Sequence, residues 1–295
     1  MRCLVRVSAP DLLFVEKGVR LLSVILLLGV LIPAMACGSG RSVASPSGFV
    51  SGNWQVTLDA TTPVVFTGFL SQSSNSVTGS LLLASTSECG GVGSVTGTGT
   101  GQNVSGTVNG QNVSLNLNQS GAIIGLTGTA ASGTSGSMTG DFTSQPGVCG
   151  SIPTSGTWSA VQIAPISGSF LGSFTSSSGN GGVVVRGSLN QGPNAADSTA
   201  TLSGTLTPTS PPTFCSYMSP GAITGLISGT QVQLNLYGEN GLQYAQLGGV
   251  QFGTGVPVTV SADGKSLTGG YSFPGTQGTT CPGDTGTFNL SFSSP

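Results

Sequence analysis

The chain has 295 residues, 49 of them glycine and 16 proline; only 5% are charged and none is histidine. Past residue 36 the charges reduce to Arg41, Arg186 and Lys265 against Asp59, Glu88, Asp141, Asp197, Glu239, Asp263 and Asp284. An acidic chain with no basic stripe excludes nucleic acid, whose binding runs on displaced counterions. Without histidine there is no imidazole base for a Ser-His-Asp or Cys-His site.

Residues 1–36 read as a signal peptide. Arg2, Arg6, Lys17 and Arg20 precede the apolar run LLSVILLLGVLI at 21–32, which ends at Pro33 and the small residues Ala34 and Ala36. A cationic start, a short apolar core and small residues at its end mark a secretory signal. The run falls short of the roughly 20 apolar residues of a membrane-spanning helix. Cys37 follows directly. Small residues before a cysteine fit a bacterial lipoprotein signal, in which Cys37 would carry the lipid; Ala34-Met35-Ala36 also fits a general secretory cut that leaves a soluble protein. Residues 37–48, CGSGRSVASPSG, read as a flexible tether, which a lipid-anchored domain needs. The expected location is the cell envelope, with the outer membrane as the anchoring surface.

The remainder states itself twice. SGNW (51–54) recurs as SGSF (167–170), VVFTGFLSQ (64–72) as VVVRGSLNQ (183–191), and GSVTG (93–97) as GAITG (221–225). VSLNL (113–117) recurs as VQLNL (232–236), SMTGDF (137–142) as SLTGGY (266–271), and SGTW (155–158) as TGTF (285–288). Matches that keep their order indicate a tandem duplication, with copies at 49–163 and 164–295 that meet in the Pro-containing IAPIS. Between Gly97 and Val113 the first copy is longer, which reads as a locally duplicated hairpin strand.

Each copy reads as eight or nine short strands. In STATLSGTLT (198–207), Ala200, Leu202, Gly204 and Leu206 alternate with Thr199, Thr201, Ser203 and Thr205, the period-two signature of half-buried strands. Gly, Ser, Thr, Asn and Val all disfavour helix interiors. Turns such as NGQN (109–112) and ADGK (262–265) suit tight hairpins. The expected fold is all-β: two homologous antiparallel domains, each an up-and-down barrel that removes its exposed edges by closing. A β-sandwich is the alternative. A membrane-spanning barrel is excluded by short strands whose outward residues are Ser, Thr and Asn.

Gly52-Asn53-Trp54 on the first strand resembles the G-x-W of lipocalin and avidin barrels, a likeness that implies a tryptophan plugging one barrel end. Copy two departs from it with Gly168-Ser169-Phe170. In its whole layout the chain is similar to uncharacterised two-repeat β-rich lipoproteins of bacteria, which implies an envelope location and no activity.

Cys89 and Cys215 both precede the GSVTG/GAITG segments, and Cys149 and Cys281 both precede the closing strand. In an oxidising compartment they read as one disulfide per copy, Cys89–Cys149 and Cys215–Cys281, each worth about 4 kcal/mol in the chain-entropy model. This leaves Cys37 alone. Zinc is disfavoured by the lack of histidine and of C-x-x-C spacing, calcium by scattered acids, and no cofactor is expected.

Candidate chemistry is sparse. Tyr237, Glu239 and Tyr244 in LNLYGENGLQYAQLGG form a polar-aromatic set that could stack on a sugar, and a small barrel could hold one apolar ligand. Asp141, beside Phe142, is the best candidate for one of a pair of glycosidase carboxylates. Lys265 reads as a solvated turn residue. The expected function is a non-enzymatic, lipid-anchored envelope protein with a structural or ligand-binding role; the alternative is a surface polysaccharide hydrolase.

Overall fold

The computed structural model describes residues 50–84, 103–119, 122–131, 136–145, 152–179, 181–194, 198–209, 220–239, 241, 243–248, 257–273 and 283–293. Its regular elements are all strands. The first copy supplies β1 (Gly52–Leu58), β2 (Val64–Ser73), β3 (Ser76–Leu83), β4 (Val104–Asn109), β5 (Asn112–Gln119), β6 (Ala122–Ala130), β7 (Ser137–Ser144) and β8 (Ser155–Ile163). Each pairs antiparallel with its sequence neighbours, and β1 closes on β8 with Leu58 opposite Trp158. The closed ring decides for a barrel over a sandwich: the meander hydrogen-bonds its first strand to its last and leaves no edge.

The second copy supplies β9 (Ser167–Ser176), β10 (Gly182–Asn194), β11 (Ala200–Pro208), β12 (Gly221–Ser228), β13 (Gln231–Tyr237), β14 (Gln243–Leu247), β15 (Val258–Val260), β16 (Ser266–Phe273) and β17 (Asp284–Phe292). These also close into a ring. β14 and β15 lie in turn along one edge of β13, β14 through Leu234↔Leu247 and β15 through Gln231↔Thr259. Together they fill the place that β6 fills in copy one, so both barrels are eight-stranded.

The register is the same around both rings. Trp54↔Gly68 and Gly68↔Leu81 recur as Phe170↔Gly187 and Gly187↔Leu206. Val104↔Leu117 and Val108↔Val113 recur as Ile223↔Leu236 and Ile227↔Val232. The pairing therefore corrects one correspondence: the counterpart of Gly221–Ser228 is β4, not GSVTG at 93–97, which lies outside the described residues. It also moves the first copy's extra length to the connection between β3 and β4, and the second copy has an insertion of its own, where the sixth strand is split between Leu247 and Val258. In an alphabet this short, GSVTG and NVSGT match GAITG almost equally well, and only the hydrogen-bonded partner separates them.

Large inward side chains face glycine on the next strand. Trp54 is opposite Gly68, Trp158 opposite Gly140, Phe142 opposite Gly156, and Tyr271 opposite Gly286. At these places the glycine leaves the inward volume to its bulky partner, whereas elsewhere two large groups face each other, as Leu58 and Trp158 do. A Cβ on Gly140 would collide with the Thr127 carbonyl, so the backbones approach too closely there for any other residue. Trp54 is fully buried, and its Nε1 donates to the Val50 carbonyl at 2.8 Å.

The two barrels belong to one compact unit, and they share more than a linker. The β12–β13 turn seats on the outer face of β1–β2. Asn53 Nδ2 donates to the Gly229 carbonyl at 2.9 Å, and Gly229 N–H returns a bond to Asn53 Oδ1 at 2.6 Å. Ser228 Oγ donates to Thr67 Oγ1 at 3.1 Å, and Thr230 Oγ1 to Gln55 Oε1 at 2.6 Å. Gly229 has φ +56°, and glycine with positive φ at the first central position is what a type II′ hairpin requires. Phe69, on the outward side of β2, joins the hydrophobic cluster of the second barrel.

Candidate functional site

The barrel interiors are filled. Trp54, Phe66, Leu115, Leu126, Phe142 and Trp158 pack together in the first, and Phe170, Phe174, Tyr271, Phe288 and Leu290 in the second. Phe174 stacks on Phe288 at 5.2 Å between ring centroids and meets Tyr271 edge-on at 5.4 Å. Among the described residues the lumens thus hold side chains where a lipocalin-like barrel would hold a ligand.

A cleft of about 1050 Å³ lies between the barrels. Its walls combine apolar surface from Val161, Ile163, Pro165 and Pro193 with the amides of Gln162 and Gln191. The strand ends of the two barrels and the Ala164–Pro165 linker position these groups, and the linker is held by Ala164 N–H donating to the Ala262 carbonyl at 2.9 Å. Gln162 Nε2 donates to the Ser51 carbonyl at 2.7 Å, which fixes one wall. Val161 is 44% exposed and offers an open apolar surface.

Asp263 and Lys265 supply the charge at this cleft. The Ser261 hydroxyl, at 2.6 Å, and then the Lys265 N–H, at 3.1 Å, hold the Asp263 carboxyl below its ordinary range. From the sequence Lys265 is expected in a solvated turn. It does sit in the β15–β16 turn, but that turn borders the cleft.

The aromatic set singled out in the sequence divides. Tyr237 is half-buried opposite Gln243, and Glu239 is exposed. The register shifts between Leu236 and Tyr237, and Tyr244 packs against the second barrel's core beside Phe273, with ring centroids 6.2 Å apart. Burial pushes the Tyr244 phenol up to about 12. Nearby, Tyr271 OH donates to Asp284 Oδ2 at 2.6 Å and Ser176 Oγ to Asp284 Oδ1 at 2.6 Å. Burial first, and then the bond to the Asp284 carboxylate, raise the Tyr271 phenol above its ordinary range.

Asp141 lies on the outer face of the first barrel and shares a shallow depression of about 540 Å³ with Asp59, Thr57, Thr139, Thr157 and Ser159. Thr157 Oγ1 donates to Asp59 Oδ2 at 3.2 Å. Both carboxylates are exposed. The cysteines Cys37, Cys89, Cys149, Cys215 and Cys281 all lie outside the described residues.

The cleft escaped sequence reading, though one signal for it existed. Phe69 is the single aromatic on the outward parity of β2, where copy two has Ser188. An aromatic at a position otherwise held by Ser, Thr or Val marks a covered surface. Comparison with protein-family models, curated proteins and solved structures returned no match.

Proposed function

We propose that this is a lipid-anchored envelope protein without catalytic activity, which binds a glycan in the cleft between its barrels. The observation that carries the binding site is the pairing of filled lumens with one large cleft walled by both apolar groups and amides. A sugar offers apolar ring faces and hydroxyls together, so it matches such walls. A purely apolar ligand would strip water from Gln162, Gln191 and Lys265 without replacing those hydrogen bonds. The volume suits an oligosaccharide of a few units. Anchoring rests on the signal-like residues 1–36, the small residues before Cys37 and the tether that follows.

The experiment is a glycan-array screen of the full chain, repeated with Val161→Trp, which fills the cleft from an exposed outer position. Binding that Val161→Trp abolishes without changing the melting temperature supports the reading; binding it leaves intact, or none to any glycan, overturns it. A second reading, hydrolysis, draws on Asp59 and Asp141 sharing one depression. Release of reducing ends from cell-wall polysaccharide, lost in Asp141→Asn, would establish it instead.

A further inference from the structure

We propose that copies of this protein associate head to tail, the Asn109–Asn112 turn of one chain seating on the β9–β10 face of the next. The contact between the two barrels is heterologous: a turn of the second barrel occupies a face of the first. A heterologous contact leaves one unused turn and one unused face at the ends, and repeating it builds open chains. Both unused partners are present here, related to the used ones by the internal duplication.

The unused turn joins β4 to β5. Gly110 has φ +63° and matches Gly229 at φ +56°, and the pairing Asn109↔Asn112 matches Ser228↔Gln231. Ser228 and Gly229 are buried, whereas Asn109 through Asn112 are all exposed, and no atom lies within 4 Å of where a Gly110 Cβ would be. The unused face carries Ser169, Leu171 and Arg186 at the places of Asn53, Gln55 and Thr67, with Leu171↔Arg186 paired as Gln55↔Thr67 are. Leu171 is 60% exposed and its diagonal neighbour Val184 is 43% exposed, two large apolar side chains together on an otherwise hydroxyl-rich surface.

The two sides differ from the used pair in a complementary way. Where Ser228 meets Thr67 hydroxyl to hydroxyl, Asn109 would offer its amide carbonyl to the Arg186 guanidinium, a charge-assisted bond. Ser169 would keep a hydroxyl against the Gly110 backbone, and the methylenes of Gln111 would cover Leu171. Chains held on one membrane surface meet at high effective concentration, so a weak contact of this kind suffices there.

The test is sedimentation velocity of the full chain carrying Cys37→Ser, over a concentration series. The expected result is association that grows beyond dimers. Leu171→Gln/Arg186→Ala removes the face and Asn109→Lys removes the turn; each variant alone should be monomeric with an unchanged melting temperature. A mixture of the two should form dimers and nothing larger, because one keeps the turn and the other the face. A monomeric parent chain at every concentration would overturn the proposal, as would association that survives both variants or a mixture that stays monomeric.

Discussion

Asp284 shows how one residue's burden is met by its neighbours. It is 3% exposed, and a carboxylate removed from water is tolerable only when hydroxyls replace the lost hydration. Tyr271 and Ser176 do so at 2.6 Å each. In the first barrel the same two places hold Phe142 and Thr154, so phenol and carboxylate are present together or absent together. Tyr271→Phe leaves the buried oxygen short of a donor and is expected to cost about 1–3 kcal/mol. Adding Asp284→Thr should recover part of that loss. Urea unfolding of the two single variants and the double variant reads the coupling, and strictly additive costs would show that the two groups do not depend on each other.

At the scale of elements, the hairpin between β12 and β13 is the joint that makes two barrels one unit. Its bond pair to Asn53 and the burial of Phe69 in the neighbouring core tie the barrels beyond the linker, and the full chain is expected to melt in a single calorimetric transition. Replacing Phe69 and Asn53 by serine, the residue that copy two carries at both places, should separate that transition into two. The lost burial alone is worth about 3 kcal/mol. A variant that still melts as one would mean that the barrels are coupled elsewhere. The same joint explains why the internal repeat conserves inward residues and diverges outward: Trp54 and Phe170 fill equivalent lumens, while Gln55 and Leu171 face different neighbours.

For the whole molecule, the proposed anchor at Cys37 precedes the first strand at Gly52 in sequence, so attachment is expected to be separable from folding. Cys37→Ser is expected to move the mature protein from the membrane fraction to the soluble one with no change in melting temperature. Cell fractionation with mass measurement of the N-terminus checks it, and an unmodified cysteine in the soluble wild-type fraction would refute lipid attachment. What chain order and composition reveal reliably is what depends on nearest neighbours in sequence. Alternation such as Val113-Leu115-Leu117 against Ser114-Asn116-Asn118 fixes which side of each strand is buried, whatever the strand later pairs with.

Composition, alternation and internal repetition by themselves determined an all-β chain of two like domains, because strand periodicity and the poor helix propensity of Gly, Ser, Thr, Asn and Val are local properties. Three things waited for the tertiary structure. Closure needed the β1–β8 and β12–β13 hydrogen bonds, which a sandwich would replace with others from the same strands. The equivalence of β4 with β12, and the breaking of the sixth strand into β14 and β15, needed cross-strand partners, since short segments of Gly, Val, Thr and Ser match one another at several offsets. The cleft needed both barrels at once: Val161 and Gln162 come from the end of one ring, Gln191 and Lys265 from the other. Residues so far apart in sequence share one cleft through the docking of Gly229 and Phe69 and the bond from Ala164 to Ala262, long-range contacts that no local pattern encodes.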